Sequence, residues 1–311
     1  WCSVFSATWH CVVYIIEMKV VEHFIRSKLG SNLASCEDNF CVTDDYACVV
    51  DGATSVTKRR WTSEAITGGQ WASRILVERV KNLSPSCTAH EVVNQLTKAI
   101  YESYKTEGVV DTMENRPDER ATASIILYSR HLNCLISVGD CQAALLDSSG
   151  RIFQRFQPSK YTDEVMSKAR CMILQLEIAK GKTVQEILKE PDVGRAFIEP
   201  LRMGQKLFQN NPNAPEAYQY WVMDGFPVSP EAGIVLHKIP KETNQIILAS
   251  DGYPMLHSTL KNTEDALNSL VKNDPLLMAK YLSTKGVAIG AESFDDRTFL
   301  RIGIDCHQIL G

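Results

Sequence analysis

The sequence predicts an α+β domain built in layers, and three observations carry that prediction. Strand-like stretches cluster with other strands, and helical stretches come in pairs, whereas parallel βαβ units would alternate the two. The strands are short and separated by two to five polar or glycine residues, the pattern of an antiparallel meander. A chain of 311 residues with 44% hydrophobic content supplies enough apolar material for one large domain.

Met18 to Arg26 reads as the first amphipathic strand. Residues 1–17 are therefore read as an N-terminal extension and residues 18–311 as the domain. The apolar run Trp9 to Ile16 is too short to cross a bilayer and has no basic stretch ahead of it, so neither a membrane span nor a signal peptide is expected. Phe40 to Thr43 and Tyr46 to Val50 flank the polar pair Asp44-Asp45 and read as a hairpin. Helical spacing follows over Ser63 to Asn82. Thr88-x-x-Glu91 then forms a capping box ahead of Val92, Val93, Leu96, Ile100 and Tyr104 on one face, with His90 as the second residue of that helix's first turn. Ala123–Tyr128, Leu132–Val138, Ala143–Asp147 and Ile152–Phe156 form the meander. Apolar repeats from Thr162 to Phe208 predict a helical insert, bounded at about 158–215 by Pro158 and Pro215. Strands are expected at Tyr218–Met223, Gly233–Ile239 and Ile246–Ser250, and helices at Asn262–Val271 and Pro275–Leu282. A last strand is expected at Phe299–Ile304.

Composition excludes several functions. A net charge of −4 with scattered basic residues argues against a nucleic-acid binder, and Lys58-Arg59-Arg60 is the one basic cluster. Ten cysteines without a CxxC pair, several inside apolar runs, fit buried free thiols in a reducing cytoplasmic setting better than a disulfide framework or a zinc site. Trp61, Trp71 and Trp221 have no basic stripe beside them and read as packing residues.

The chemistry sits at strand ends. Two apolar runs end in Asp-Gly, at Val50-Asp51-Gly52 and at Ala249-Ser250-Asp251-Gly252, and Asp295-Asp296-Arg297-Thr298 opens the last strand. If these ends converge, the carboxylates repel one another unless divalent cations neutralise them. Asp224-Gly225 serves as an internal control, and its position between two strands reads as an ordinary turn.

In order along the chain stand Glu37-Asp38, Asp51-Gly52, Val138-Gly139-Asp140, Ala249-Ser250-Asp251-Gly252 and Asp295-Asp296-Arg297-Thr298. This series, spread over about residues 35–304, resembles the metal-dependent protein phosphatases of the type 2C, or PPM, family. The resemblance implies a four-layer αββα sandwich of two antiparallel sheets flanked by helices. It also implies two Mg2+ or Mn2+ ions and a third, weaker one. Asp51 would bridge the ions, with the Gly52 carbonyl as a further ligand. Asp251 and Asp295 would bind the other metal, Glu37 or Asp38 would act through water, and Asp140 with Asp251 would hold the third ion. Asp51, Asp251 and Asp295 would then carry the catalysis. Two hard cations about 4 Å apart supply a water nucleophile at neutral pH, so a phosphorylated protein or a small phosphoester would be hydrolysed without a phosphoenzyme.

Where the family places a phosphate-binding arginine, four residues before the glutamate, this chain has Leu33. Lys28, Lys58, Arg59 and Arg60 are the candidate replacements, with the cluster after Asp51 ranked first. Ala53 stands where a histidine is common, and Asp296 is either an added ligand or a solvated neighbour. These departures keep a second reading open, a catalytically silent binding module.

Overall fold

The computed structural model describes residues 12–310, with side chains from 17 to 304. Ten strands form two antiparallel five-stranded sheets. The first sheet runs β1 (Val12–Arg26), β10 (Arg297–Leu310), β9 (Gln245–Ala249), β6 (Gln142–Leu146), β7 (Ile152–Phe156). The second runs β2 (Asn39–Val42), β3 (Tyr46–Gly52), β4 (Ala123–Ser129), β5 (Cys134–Val138), β8 (Val235–Lys238). Helices α1 (Gly68–Val80), α2 (Ala89–Thr106) and the short α3 (Val110–Asn115) follow β3. Helices α4 (Tyr161–Ala179), α5 (Val184–Ile187) and α6 (Val193–Gly204) lie between β7 and β8, and α7 (Leu260–Asn273) follows β9.

Three apolar layers make this a four-layer sandwich. Ala47, Val49, Ile126 and Tyr128 of the second sheet pack against Ala143, Leu145, Ile246, Leu248 and Leu300 of the first. Residues of the opposite parity on the second sheet, Cys48, Val50, Ile125 and Leu127, pack against Leu76, Val80, Val92 and Leu96 of α1 and α2. On the first sheet Ala144, Ile247, Ala249 and Phe299 meet Leu267 of α7. Burial on both faces explains why β3, β4 and β9 read as continuous apolar runs, since each parity finds its own apolar partner. The αββα architecture expected of the sequence is thus present, and Trp61, Trp71 and Trp221 belong to its core, Trp61 stacked on Trp71 at 4.1 Å.

Several expectations need correction. The meander is two hairpins in different sheets: β4–β5 in one, β6–β7 in the other, with the chain crossing between layers at Gly139-Asp140-Cys141. Gly139 makes that crossing with φ +98°, and a Cβ there would strike Ser124. Tyr218–Met223 forms no strand, only isolated bridges from Tyr220 to Gln209 and from Met223 to Ala123. Pro275–Leu282 is not helical, because the Asp274 carboxylate accepts from the amides of Met278, Ala279, Lys280 and Tyr281 and wraps the segment into a loop. Strand β1 starts at Val12 and pairs with β10 as far as Leu310, so part of the expected extension is strand, and residues 1–11 lie outside the described residues. The expected capping box at Thr88 is formed, and two more stand at Thr67 and Thr183.

Candidate functional site

The ends of β3 and β9 meet where the two sheets face each other. Along β3, Ala47 and Val49 point between the sheets, and Asp51 continues that alternation, which delivers its carboxylate to the inter-sheet edge. From the other sheet the Asp251 amide donates to Asp51 Oδ2 at 3.3 Å. Close backbone approach makes this junction possible. A Cβ on Gly52 would lie 2.5 Å from the Gly69 carbonyl oxygen at the start of α1 and would strike the Glu37 carbonyl as well. Glycine is the one residue that fits there.

A single cleft is lined by Asp51, Gly52, Asp140, Asp251 and Asp295, and Asp38 lies buried beside it. Asp38 accepts from Thr298 Oγ1 at 3.0 Å. Burial, then the charges of Asp295 and Asp296, push its carboxyl up to about 8 against the pull of its hydroxyl donors. Asp51 is raised well above the ordinary carboxylate range by burial and then by Asp38, Asp140 and Asp295, and Asp251 by burial and then by Asp51 and Asp295. Among the described residues no ammonium or guanidinium lies within ion-pairing distance of Asp38, Asp51 or Asp251. Three crowded carboxyls therefore hold on to their protons, because the protein itself supplies no cation to offset their charge.

Their neighbours are treated differently. Asp140 is paired with Lys160 Nζ at 2.6 Å and accepts from Ser124. Asp295 is paired with Lys285 and, at 3.6 Å, with Lys28. Burial works to raise both carboxyls, but the lysines outweigh it and hold them below the ordinary range. Glu37 accepts from Thr54 and Thr67 at 2.8 and 2.6 Å, with Lys28 at 3.5 Å. Asp296 is neither solvated nor turned into the cleft. It is buried and accepts from the Lys28 and Glu37 amides at 2.7 and 2.8 Å, so it clasps the end of β1 to the approach of β2.

The donor set suits a hard divalent cation, because it is made of carboxyl oxygens and three of its acids have no cationic partner among the described residues. As the side chains stand, no three acidic, histidine or thiol groups among the described residues are gathered tightly enough to hold an ion. Lys160 and Lys285 occupy the oxygens of Asp140 and Asp295 that would complete such a group.

The basic cluster ranked first for phosphate does not line the cleft. Arg59 pairs with Glu119 at 2.8 Å and lies over Trp61, Arg60 donates to the Arg59 carbonyl, and Lys58 is exposed. Leu33 is 53% exposed and borders a separate groove with Ile25, Cys36, Asp38 and Phe40. The cations that do line the cleft are Lys160, Arg195, Arg202, Lys206 and Lys285, four of them from the helical insert. Sequence reasoning missed them. The available signal was the spacing of Arg195, Arg202 and Lys206, seven and then four residues apart, which puts three cations on one helical face.

No family model matches the chain, and no curated protein matches it. Solved structures to which it is similar include the Mycobacterium tuberculosis serine/threonine phosphatase PstP/Ppp, at 15% identity and TM-score 0.40, covering 94% of this chain and 99% of that one. Another is the serine/threonine phosphatase Stp1 from Staphylococcus aureus, at 12% identity and TM-score 0.46, covering 97% and 100%. A third is the catalytic domain of PstP in complex with two manganese ions, at 15% identity and TM-score 0.43, covering 93% and 99%.

Proposed function

We propose that the chain is a metal-dependent hydrolase of phosphomonoesters, with phosphoserine or phosphothreonine protein as the first substrate class to test and small phosphoesters as the second. The observation that carries this reading is the charge division of one cleft: Asp51 and Asp251, with Asp38 buried beside them, lack cationic partners among the described residues on one side, and basic side chains of the insert stand on the other. Asp51, the Gly52 carbonyl and Asp251 would hold Mg2+ or Mn2+, joined by Asp295 and Asp140 once their lysines move aside, with Glu37 and Asp38 acting through water. When bound, such ions supply a water nucleophile at neutral pH and offset charge on the phosphoryl oxygens. The protein's own part is to keep the Asp51 and Asp251 carboxylates crowded at a rigid strand junction, where the Gly52 contacts allow them no retreat. Lys160 and Lys285 keep Asp140 and Asp295 ionised, ready to be drawn to a stronger cation. A reducing cytoplasmic setting agrees with this reading, since every cysteine with a described side chain is a buried free thiol. Among the described residues no helix is long and apolar enough to cross a membrane.

Hydrolysis of an aryl phosphate is the test, run with Mn2+, with Mg2+ and with chelator. Activity is expected with metal, is expected to vanish with chelator, and should fall at least about a thousandfold in Asp51→Asn and Asp251→Asn, the scale of removing a member of a catalytic unit. Activity that survives chelation, or both substitutions, sinks the proposal. The lysines on Asp140 and Asp295 favour a second reading, a silent binding module whose ammoniums stand in for metal. Calorimetric titration separates the two, because that module takes up no Mn2+ and turns over no phosphopeptide.

A further inference from the structure

The cleft holds more positive charge on the insert side than its carboxylates consume. Lys160 and Lys285 are committed to Asp140 and Asp295. Arg202 is paired with Glu199 at 2.7 Å on the rim. Arg195 and Lys206 have no carboxylate within ion-pairing distance among the described residues: Arg195 Nη1 donates to the Thr284 carbonyl at 2.9 Å and Lys206 Nζ donates to Gln209 Oε1 at 2.9 Å. Burial, then the Lys160 charge, brings the Lys206 ammonium down to about 8, and burial, then Arg202, brings Arg195 down to about 10. Between them Gln205 also lines the cleft, and its buried Oε1 has no hydrogen-bond partner. A buried amide end without a partner is uncommon and points to a missing one. Turning that amide presents an NH2 donor to the same space.

Arg195 and Lys206 stand near Arg202 with no carboxylate in ion-pairing distance of their own among the described residues, Asp163 being the one acid of the insert that lines the cleft with them. An anion placed among the three cations removes their repulsion while gaining charge-assisted hydrogen bonds. The positions are consistent with one ligand. Arg202 lies two helical turns after Arg195 and Lys206 one turn beyond, so all three follow one face of α6 and the turn that continues it. Two guanidiniums and an ammonium form a fork suited to a phosphate dianion.

We propose that Arg195, Arg202 and Lys206 of the insert form the phosphate clamp of this cleft, taking over the part that the family resemblance assigns to an arginine at the position of Leu33. The clamp rests on the phosphomonoesterase reading, for it holds the phosphate of that substrate beside Asp51 and Asp251. Arg59 and Arg60 of the cluster after Asp51 are engaged with Glu119 and the Arg59 carbonyl, outside the cleft. The phosphate is gripped from the helical insert, so the insert selects the substrate and the strand ends supply the chemistry.

Calorimetric titration of the full chain with inorganic phosphate, in chelator and at fixed ionic strength, tests the clamp without relying on turnover. Saturable binding is expected, weakened at least tenfold by Arg195→Met and by Lys206→Met, largely kept in Lys206→Arg, and unchanged in the surface control Lys261→Met. Thermal melts of the same variants exclude misfolding as the cause, and Lys206→Arg keeps the test valid if a methionine variant does not fold. No saturable binding by the unaltered chain, or affinity unchanged in both methionine variants, overturns the clamp. Aryl phosphate turnover, measured alongside, separates the two readings. Phosphate binding lost in the methionine variants while the unaltered chain shows no metal-dependent turnover upholds the clamp and sinks the hydrolase. Metal-dependent turnover with the same KM in both methionine variants upholds the hydrolase and sinks the clamp.

Discussion

At Asp224-Gly225 the carboxylate is fully buried and completely served: Arg120 Nη1 reaches it at 3.1 Å, Gln209 Nε2 and Asn210 Nδ2 each at 2.7 Å, and the Phe226 amide at 2.9 Å. At Asp51-Gly52 the same dipeptide ends a buried strand with a backbone amide as partner and other carboxylates as neighbours. The difference teaches how to separate a structural acid from a chemical one. Asp224 carries its counter-charge within the fold and fastens the end of the insert, through Gln209 and Asn210, to the loop before β4. Asp51 and Asp251 have no such partner among the described residues, so a cation from outside is what would draw out their charge.

The largest expected effect comes from breaking the served acid. Arg120→Met removes the cation from a carboxylate that has no solvent, and Arg120 also lies over Phe226 at 3.7 Å. Stranding a buried charge costs on the order of 3 kcal/mol, the three remaining neutral donors keeping the figure at the low end. Chemical denaturation should show that loss. A change below about 1 kcal/mol would mean that Asp224 is not held by charge, and the contrast with Asp51 would collapse.

The contrast also explains what the sequence disclosed. Asp51 and Asp251 were legible because a carboxylate that closes a buried apolar run is conspicuous, and a strand's alternation fixes where it points. The sequence reads Asp224-Gly225 as a turn between two strands; the structure has a bend there, Gly225 at φ +88° and the Phe226 amide on the Asp224 carboxylate, with no strand before it. The burial of the acid stays hidden because Arg120, Gln209 and Asn210 come from distant segments. The layering was legible from strands grouped with strands and helices in pairs, whereas the crossing at Gly139-Asp140-Cys141 was not, since strand spacing does not say which sheet the next hairpin joins. Arg195 and Lys206 looked like any solvated helix surface, and only packing of the insert against the strand ends brings them to the cleft.

A middling effect should separate the unserved acids by pH. Asp38 in the folded, metal-free protein is raised to about 8, while in the unfolded chain it returns to about 4. Between those values the folded state keeps a proton that the unfolded state has lost, so this residue's contribution to stability is present at low pH and drains away as pH rises toward 8. Melting curves in chelator should therefore show the unaltered chain losing stability relative to Asp38→Asn from pH 5 to pH 8. If the two lines run parallel, Asp38 is compensated after all and belongs with Asp224.

The smallest expected effect addresses where phosphate is read. Leu33→Arg restores the residue type that the family resemblance leads one to expect, on an exposed position where substitutions move stability by no more than about 0.5 kcal/mol. Leu33 borders the groove with Ile25, Cys36 and Phe40, not the cleft of Asp51, Asp140, Asp251 and Asp295. A guanidinium added there stands on the strand side, while the unpaired cations Arg195 and Lys206 stand on the insert side. KM for an aryl phosphate should therefore stay within about twofold of the unaltered value. A tenfold drop, worth about 1.4 kcal/mol, would place recognition with the strand ends and make the insert a bystander. The same result would erase the proposed division of labour, in which strand ends would supply the chemistry and the helices of the insert would carry recognition.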